Sequence, residues 1–217
     1  MTDHHEHDAD RFDEAAATWD DDPAKRERAR RTAALLREHL PLTGTERVLD
    51  IGGGTGQLSL LLADAVGAVT VSDAAAGMVR VAAENIAAAG LADRFDAVRL
   101  DLTTGQAPGE PFDGAWSQLA LHHVPDVDQL LHRVRETLAP GGWLAVVDLD
   151  SDVHGAFHAR HPDFTGHHGF DRAEFAARMT AAGFADVSVV DGGRVEHEGV
   201  AQGTESFPMF LAIGYAR

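Results

Sequence analysis

Val48-Leu49-Asp50-Ile51-Gly52-Gly53-Gly54-Thr55-Gly56 decides how this chain folds. Val48, Leu49 and Ile51 form a buried-strand pattern that runs straight into a glycine cluster. Leu58, Leu60, Leu61, Leu62, Ala65 and Val66 follow at helical spacing. A strand, a glycine turn and a helix in that order bring backbone N–H groups and a helix N-terminus against a ligand. The spacing narrows the ligand. The dinucleotide fingerprint G-x-G-x-x-G needs its third glycine at position 57, which here is Gln57. The pattern that does occur is D-x-G-x-G-x-G, with Asp50 at the strand end and Gly52, Gly54 and Gly56 behind it.

Strand and helix patterns alternate on the C-terminal side, as a parallel sheet requires. Strands are predicted over 46–51, 68–73, 95–100, 112–117 and 143–147. Between them lie helices at about 56–66, at Met78 to Ile86 with Gly90 as the stop, and from near Asp126 to Pro140-Gly141-Gly142. Asp171, with Glu174 three residues on, caps a helix over 171–182 that Gly183 ends. Strands near 185–191 and 209–215 follow with no helix between them, which predicts an antiparallel hairpin. The expected fold is α/β: a Rossmann-like, seven-stranded, mostly parallel sheet with helices on both faces and an antiparallel last strand.

On the N-terminal side, residues 1–10 read as a disordered tail in which His4, His5 and His7 are solvated. Phe12, Ala15, Ala16 and Trp19 then share one helical face. Pro23 opens a second helix that ends before Pro41, with Ala29, Ala33, Leu36 and Leu40 as its apolar stripe. No repeat or linker divides the rest, so residues 11–217 are expected to form a single domain.

The glycine motif resembles motif I of the class I S-adenosylmethionine (SAM) methyltransferases. Two further blocks carry the resemblance. Phe112-Asp113-Gly114-Ala115 with Ala120-Leu121-His122-His123-Val124-Pro125-Asp126 is similar to a stretch of the ubiquinone/menaquinone-biosynthesis-like methyltransferases. Leu138-Ala139-Pro140-Gly141-Gly142-Trp143-Leu144 is similar to their L-x-P-G-G-x-L block. Together these cover residues 46–148. The resemblance implies SAM as cofactor and a cofactor site made of Trp19, Asp50, Gly52, Gly53, Gly54, Gly56, Asp73, Ala74, Met78, Asp101, Leu102 and Ser117. In it Asp50 meets the ammonium of SAM, Asp73 the ribose hydroxyls, and Asp101 and the backbone of Leu102 the adenine. The 11–40 segment would be a lid in which Trp19 either packs beside the cofactor or anchors a mobile arm. Where many relatives read D-x-S-x-x-M, this chain has Ala75, which removes one hydroxyl contact.

The residue chemistry supports this independently. Asp50, Asp73 and Asp101 each end a successive predicted strand, the edge at which open α/β sheets bind ligands. Three carboxylates beside a glycine turn suit a cationic sulfonium bearing an adenosine and an ammonium. His122 and His123 lie just past the fourth strand, near the expected methyl position, and histidine can take a proton near neutral pH. Residues 150–170 form an acceptor-side insertion with five histidines, His154, His158, His161, His167 and His168. His167 and His168 join His122 and His123 as catalytic candidates, and no metal site is assigned. A tetrapeptide N-P-P-Y or D-P-P-Y is absent after strand four, which weighs against nucleobase and amide acceptors.

Composition bounds the remainder. A net charge of −17 argues against nucleic acid and anionic membranes as partners, because such binding rests on Lys and Arg. With no cysteine there is no disulfide and no thiolate nucleophile. No apolar run reaches the ~20 residues of a membrane span, and the acidic N-terminus is unlike a targeting signal. A cytoplasmic enzyme that methylates a small molecule is the expectation. An NAD-binding oxidoreductase and a non-catalytic SAM-binding protein are the alternatives. Oligomeric state is not legible.

Overall fold

The computed structural model describes residues 10–159, 164–198 and 204–217. Seven strands form one sheet: β1 (Arg47–Ile51), β2 (Ala68–Asp73), β3 (Phe95–Arg99), β4 (Phe112–Gln118), β5 (Leu138–Leu149), β6 (Phe184–Glu198) and β7 (Thr204–Ala216). Their spatial order is β3-β2-β1-β4-β5-β7-β6. The first five are parallel, and β7 is antiparallel to both β5 and β6. The chain runs outward from β1 through β2 to β3, then returns to the other side of β1 as β4. A crevice opens at such a reversal, at the C-terminal ends of the strands. The expected sheet and its final hairpin are thus both present.

Helices α1 (residues 10–15), α2 (Pro23–His39), α3 (Gln57–Leu61), α4 (Ala76–Ala88), α5 (Val127–Thr137) and α6 (Arg172–Ala181) cover the sheet. Period-two alternation sorts the core into two faces. Val48, Val69, Val71, Trp116, Ala145 and Val147 pack on Leu36, Leu62, Ala82 and Ile86. Leu49, Ile51, Leu144 and Val146 pack on Leu130, Leu131, Val134, Phe175 and Met179. Caps fall where the sequence placed them: Asp126 accepts from the Gln129 amide, and Asp171 from those of Ala173 and Glu174. Among the described residues no helix is long and apolar enough to cross a membrane.

Three element boundaries differ from expectation. Helix α3 stops at Leu61, because the Leu62 amide is shared between the carbonyls of Leu58 and Ser59 and the chain tightens into turns. Leu62 and Val66 stay buried, so their apolar spacing reports packing, not helix length. Strand β5 starts at Leu138, paired with Phe112, and a register shift before Gly114 absorbs Pro140-Gly141-Gly142. The final hairpin is longer than its apolar runs, because a second irregularity between Asp191 and Gly193 carries pairing past the two glycines. Of the predicted tail, residues 1–9 lie outside the described residues, and Asp10 is already helical.

Candidate active site

The glycine turn is held from two sides. Asp50, at the end of β1, is 1% exposed and accepts a 2.6 Å hydrogen bond from Ser59 Oγ on α3. Burial pushes its carboxyl up to about 6 against the opposing pull of that hydrogen bond. Asp73, at the end of β2, accepts from the amides of Gly54 (3.0 Å) and Ala75 (2.9 Å). Burial again raises its pKa, with two of those amides pulling the other way. Gly52 and Gly54 adopt φ values of 62° and 56°. At Gly52 a Cβ would also meet the Ala120 side chain at 2.4 Å, so only glycine fits there. Asp101, past β3, accepts from both the amide and the hydroxyl of Thr103.

These groups line one cavity of about 840 Å³ at the C-terminal edge of the sheet. That volume lies within the ~300–1,000 Å³ typical of small-molecule sites. Trp19, Asp50, Gly52, Gly53, Gly54, Asp73, Ala74, Met78, Asp101, Leu102, His122 and His123 all contribute to its wall.

The N-terminal segment roofs the cavity. Helix α1 passes into a tight 3-10 turn (Ala16–Asp21). Asp20 accepts from Thr55 Oγ1 (2.7 Å) and from Asn85 Nδ2 (3.0 Å), tying this turn to the glycine loop and to α4. Ala16 packs against Ala75 and Met78, with Phe12 and Trp19 beside them. Lys25 Nζ sits 3.4 Å from the centre of the Trp19 ring. Arg28 on α2 also lines the cavity, and its buried Nε has no hydrogen-bond partner among the described residues. Burial lowers its pKa, and nearby Asp22 opposes the effect.

The imidazoles meet this roof, where the Phe12 ring lies edge-on to that of His123 at 5.1 Å. His122 Nδ1 lies 2.6 Å from Asp148 Oδ1, and both residues are buried. Asp148 also accepts from the amides of Leu121, His122 and Leu149. A carboxylate only accepts, so Nδ1 carries the hydrogen, and in the neutral ring Nε2 holds the lone pair. His158 stands behind, its ring 5.2 Å from that of His122 and 6.0 Å from that of His123. Burial and the surrounding imidazoles push its pKa down to about 2, so it is neutral.

Four sequence candidates fall outside the cavity wall. Ser117 is buried within the sheet, where its hydroxyl donates to the Ile51 carbonyl (2.8 Å) and bridges β4 to β1. Gly56 caps α3 behind the turn at φ 79°. His167 packs on Phe170 with Nε2 3.3 Å from the Pro125 carbonyl, and His168 backs His158 at 5.5 Å between ring centres. His154 and His158 share no helical face, because only a 3-10 turn (Ala156–His158) forms there. His161 lies outside the described residues.

Sequence reasoning missed Arg28, Lys25, Gln118 and Asp148. Arg28 was hidden among the other arginines of α2, and Asp148 reads as one more buried-strand residue. Leu119 was missed too: it adopts φ 51°, a left-handed conformation costly for a branched side chain, at the point where β4 opens into the cavity.

Residues 48–142 match a family described as "Methyltransferase domain". An uncharacterized methyltransferase of Mycobacterium bovis is 40% identical over 114 residues, covering 52% of this chain and 55% of that protein. The 27-O-demethylrifamycin SV methyltransferase of Amycolatopsis mediterranei is 33% identical over 136 residues, covering 60% of this chain and 49% of that one. The chain thus spans about half the length of these relatives. Among solved structures, phosphoethanolamine N-methyltransferase 2 of Haemonchus contortus, in complex with S-adenosyl-L-methionine, superposes with a TM-score of 0.69. It is 16% identical, over 85% of this chain and 51% of that one, which is a likeness of fold.

Proposed function

We propose, from the match of residues 48–142 to the methyltransferase domain family, that this chain transfers a methyl group from S-adenosyl-L-methionine to a small-molecule acceptor. One observation carries the reading. Asp50, Asp73 and Asp101, at the ends of three adjacent strands, line a single cavity together with the glycine turn. The order of the groups fits the order of the ligand's parts. The buried carboxylate of Asp50 has neutral donors to offset its burial, the Ser59 hydroxyl first, which suits an incoming ammonium. The Nε of Arg28, without a hydrogen-bond partner among the described residues, suits the ligand's carboxylate. Asp73 has two oxygens at the turn for ribose hydroxyls, and Asp101 with the Leu102 amide would take the adenine edge.

When bound, the sulfonium supplies an activated methyl carbon and a neutral thioether leaving group. The protein's part is alignment and exclusion of water. The lid carrying Phe12 and Trp19 covers the cavity, with Phe12 edge-on to His123, and Leu119, His122 and His123 line the wall where the acceptor would sit. His122 is fixed by Asp148 with Nε2 as its accepting atom, so it can meet an acceptor hydroxyl without reorienting.

A small acceptor is supported by the name of the rifamycin-modifying relative and by the net charge of −17, which suits no polyanionic substrate. Absence of cysteine fits a cytoplasmic setting. Calorimetric titration with S-adenosylhomocysteine and with NAD tests the cofactor: binding of the first alone supports the reading, and binding of NAD alone overturns it. Release of S-adenosylhomocysteine across a panel of phenols, enols, amines and thiols tests turnover. Tight cofactor binding with no release across that panel favours a non-catalytic SAM-binding protein.

A further inference from the structure

We propose that His122, His123 and His158 form a binding site for a divalent transition-metal ion of the zinc class, with one coordination position open to the cavity. Among the described residues, these three bring one ligating ring nitrogen each to within 4.8 Å of one another. Three histidines and an open position are a ligand set that zinc accepts without any thiolate.

Two further observations separate this cluster from ordinary aromatic packing. The first is His158. It is 4% exposed, yet neither of its ring nitrogens has a hydrogen-bond partner among the described residues. Buried imidazole nitrogens are normally satisfied, and leaving both unpaired is costly. A metal ion would satisfy one of them, and its ring is held in place by face-to-face stacking on Phe164 at 3.6 Å. The second is Asp148. Its bond to His122 Nδ1 leaves Nε2 as the nitrogen His122 can offer. Three backbone amides fix the carboxylate in turn. A carboxylate bonded to the far nitrogen of a ligating histidine is the usual outer support of such a metal site.

The site also sits where a metal would be of use. His122, His123 and His158 belong to the cavity wall, so a fourth ligand would come from whatever the cavity holds. An acceptor coordinating through a hydroxyl or enol oxygen would lose its proton to water more easily there. Metal binding as such does not depend on the proposed methyl transfer and can be measured separately from it.

The test uses the full chain with His4→Gln, His5→Gln and His7→Gln, which removes competing tail histidines. After stripping with chelator, Zn2+ is titrated calorimetrically and Co2+ is added to read its visible ligand-field bands. One equivalent per chain, with bands of low-coordinate nitrogen ligation, is the expected result. His158→Phe should weaken binding at least 100-fold, with S-adenosylhomocysteine affinity and circular dichroism unchanged to report an intact fold. Asp148→Asn should weaken it 10- to 100-fold. Absence of stoichiometric binding in the parent overturns the proposal, as does equal metal affinity in folded His158→Phe protein.

Discussion

Asp50 Oδ2 accepts the Ser59 hydroxyl at 2.6 Å, and the carboxylate it belongs to is almost wholly removed from water. Neutral donors do not replace hydration of a charge, which is why burial drives its pKa from an ordinary 3.8 to about 6. Because the folded-state value is the higher one, Asp50 contributes stability below about pH 3.8, and that contribution is lost as pH rises through about 6. Asp50→Asn removes the loss, so at pH 7 the ligand-free variant should be more stable, by up to roughly 3 kcal/mol. Chemical denaturation of both proteins between pH 4 and 8 measures this. The same variant should bind S-adenosylhomocysteine more weakly. Wild-type affinity should fall as pH drops below about 6, and a flat affinity profile would refute the ammonium assignment.

Asp73 joins the turn to the cavity. It accepts from the Gly54 and Ala75 amides and still lines the cavity. Asp73→Ala should lower affinity for S-adenosylhomocysteine by 10- to 100-fold, matching the ~1.5–3 kcal/mol of hydrogen bonds to a charged group. Adenine alone should lose less, because the ribose contacts are absent from it. Equal losses for both ligands would show that the substitution only disturbs the loop.

Asp148 acts through His122, because its carboxylate fixes the ring and its own surface is fully buried. Asp148→Asn should lower kcat for methyl transfer by 10- to 100-fold and leave the cofactor's dissociation constant within about twofold. Loss of both together would reduce Asp148 to a structural support of β5.

The carboxylates of the cavity wall were legible in the sequence and the arrangement of its histidines was not, for a physical reason. Asp50, Asp73 and Asp101 are carboxylates at strand ends next to a glycine turn, and the strand pattern alone puts strand ends on one rim. Ser117 shows the limit of that logic. It too lies near a strand end, but its hydroxyl turns into the sheet to reach Ile51, and strand periodicity cannot say whether a small polar residue faces a ligand or a neighbouring carbonyl. The histidines of 150–170 have no periodicity to orient them. Which of them meets His122 depends on how an irregular loop is pinned, here by Asp152 accepting from the Phe157 amide and by the His167 amide donating to His122. That pinning brings His158 inward and leaves His167 and His168 outside the cavity wall. Arg28 was hidden for a related reason: helical spacing marks the apolar stripe of α2 but not which flanking arginine leans over the sheet edge.

The lid can be read optically. Of the three tryptophans, Trp116 and Trp143 are buried in the core, whereas Trp19 lines the cavity in contact with Lys25 and Phe12. Filling the cavity should therefore change the emission of Trp19 alone and shield it from acrylamide. Trp19→Phe should abolish that change while retaining most of the binding, since Phe12 and Met78 still close the apolar side. Cutting the tether should act differently. Thr55→Val removes the hydroxyl that donates to Asp20, so the lid should open more often in the free protein. Acrylamide should then quench Trp19 more strongly before ligand is added, with affinity lowered several-fold through the cost of reclosing the lid. If Trp19 is equally shielded in Thr55→Val and wild-type protein, the Asp20–Thr55 bond does not hold the lid, and the Asn85–Asp20 bond with the packing of Ala16 on Ala75 and Met78 keeps it closed.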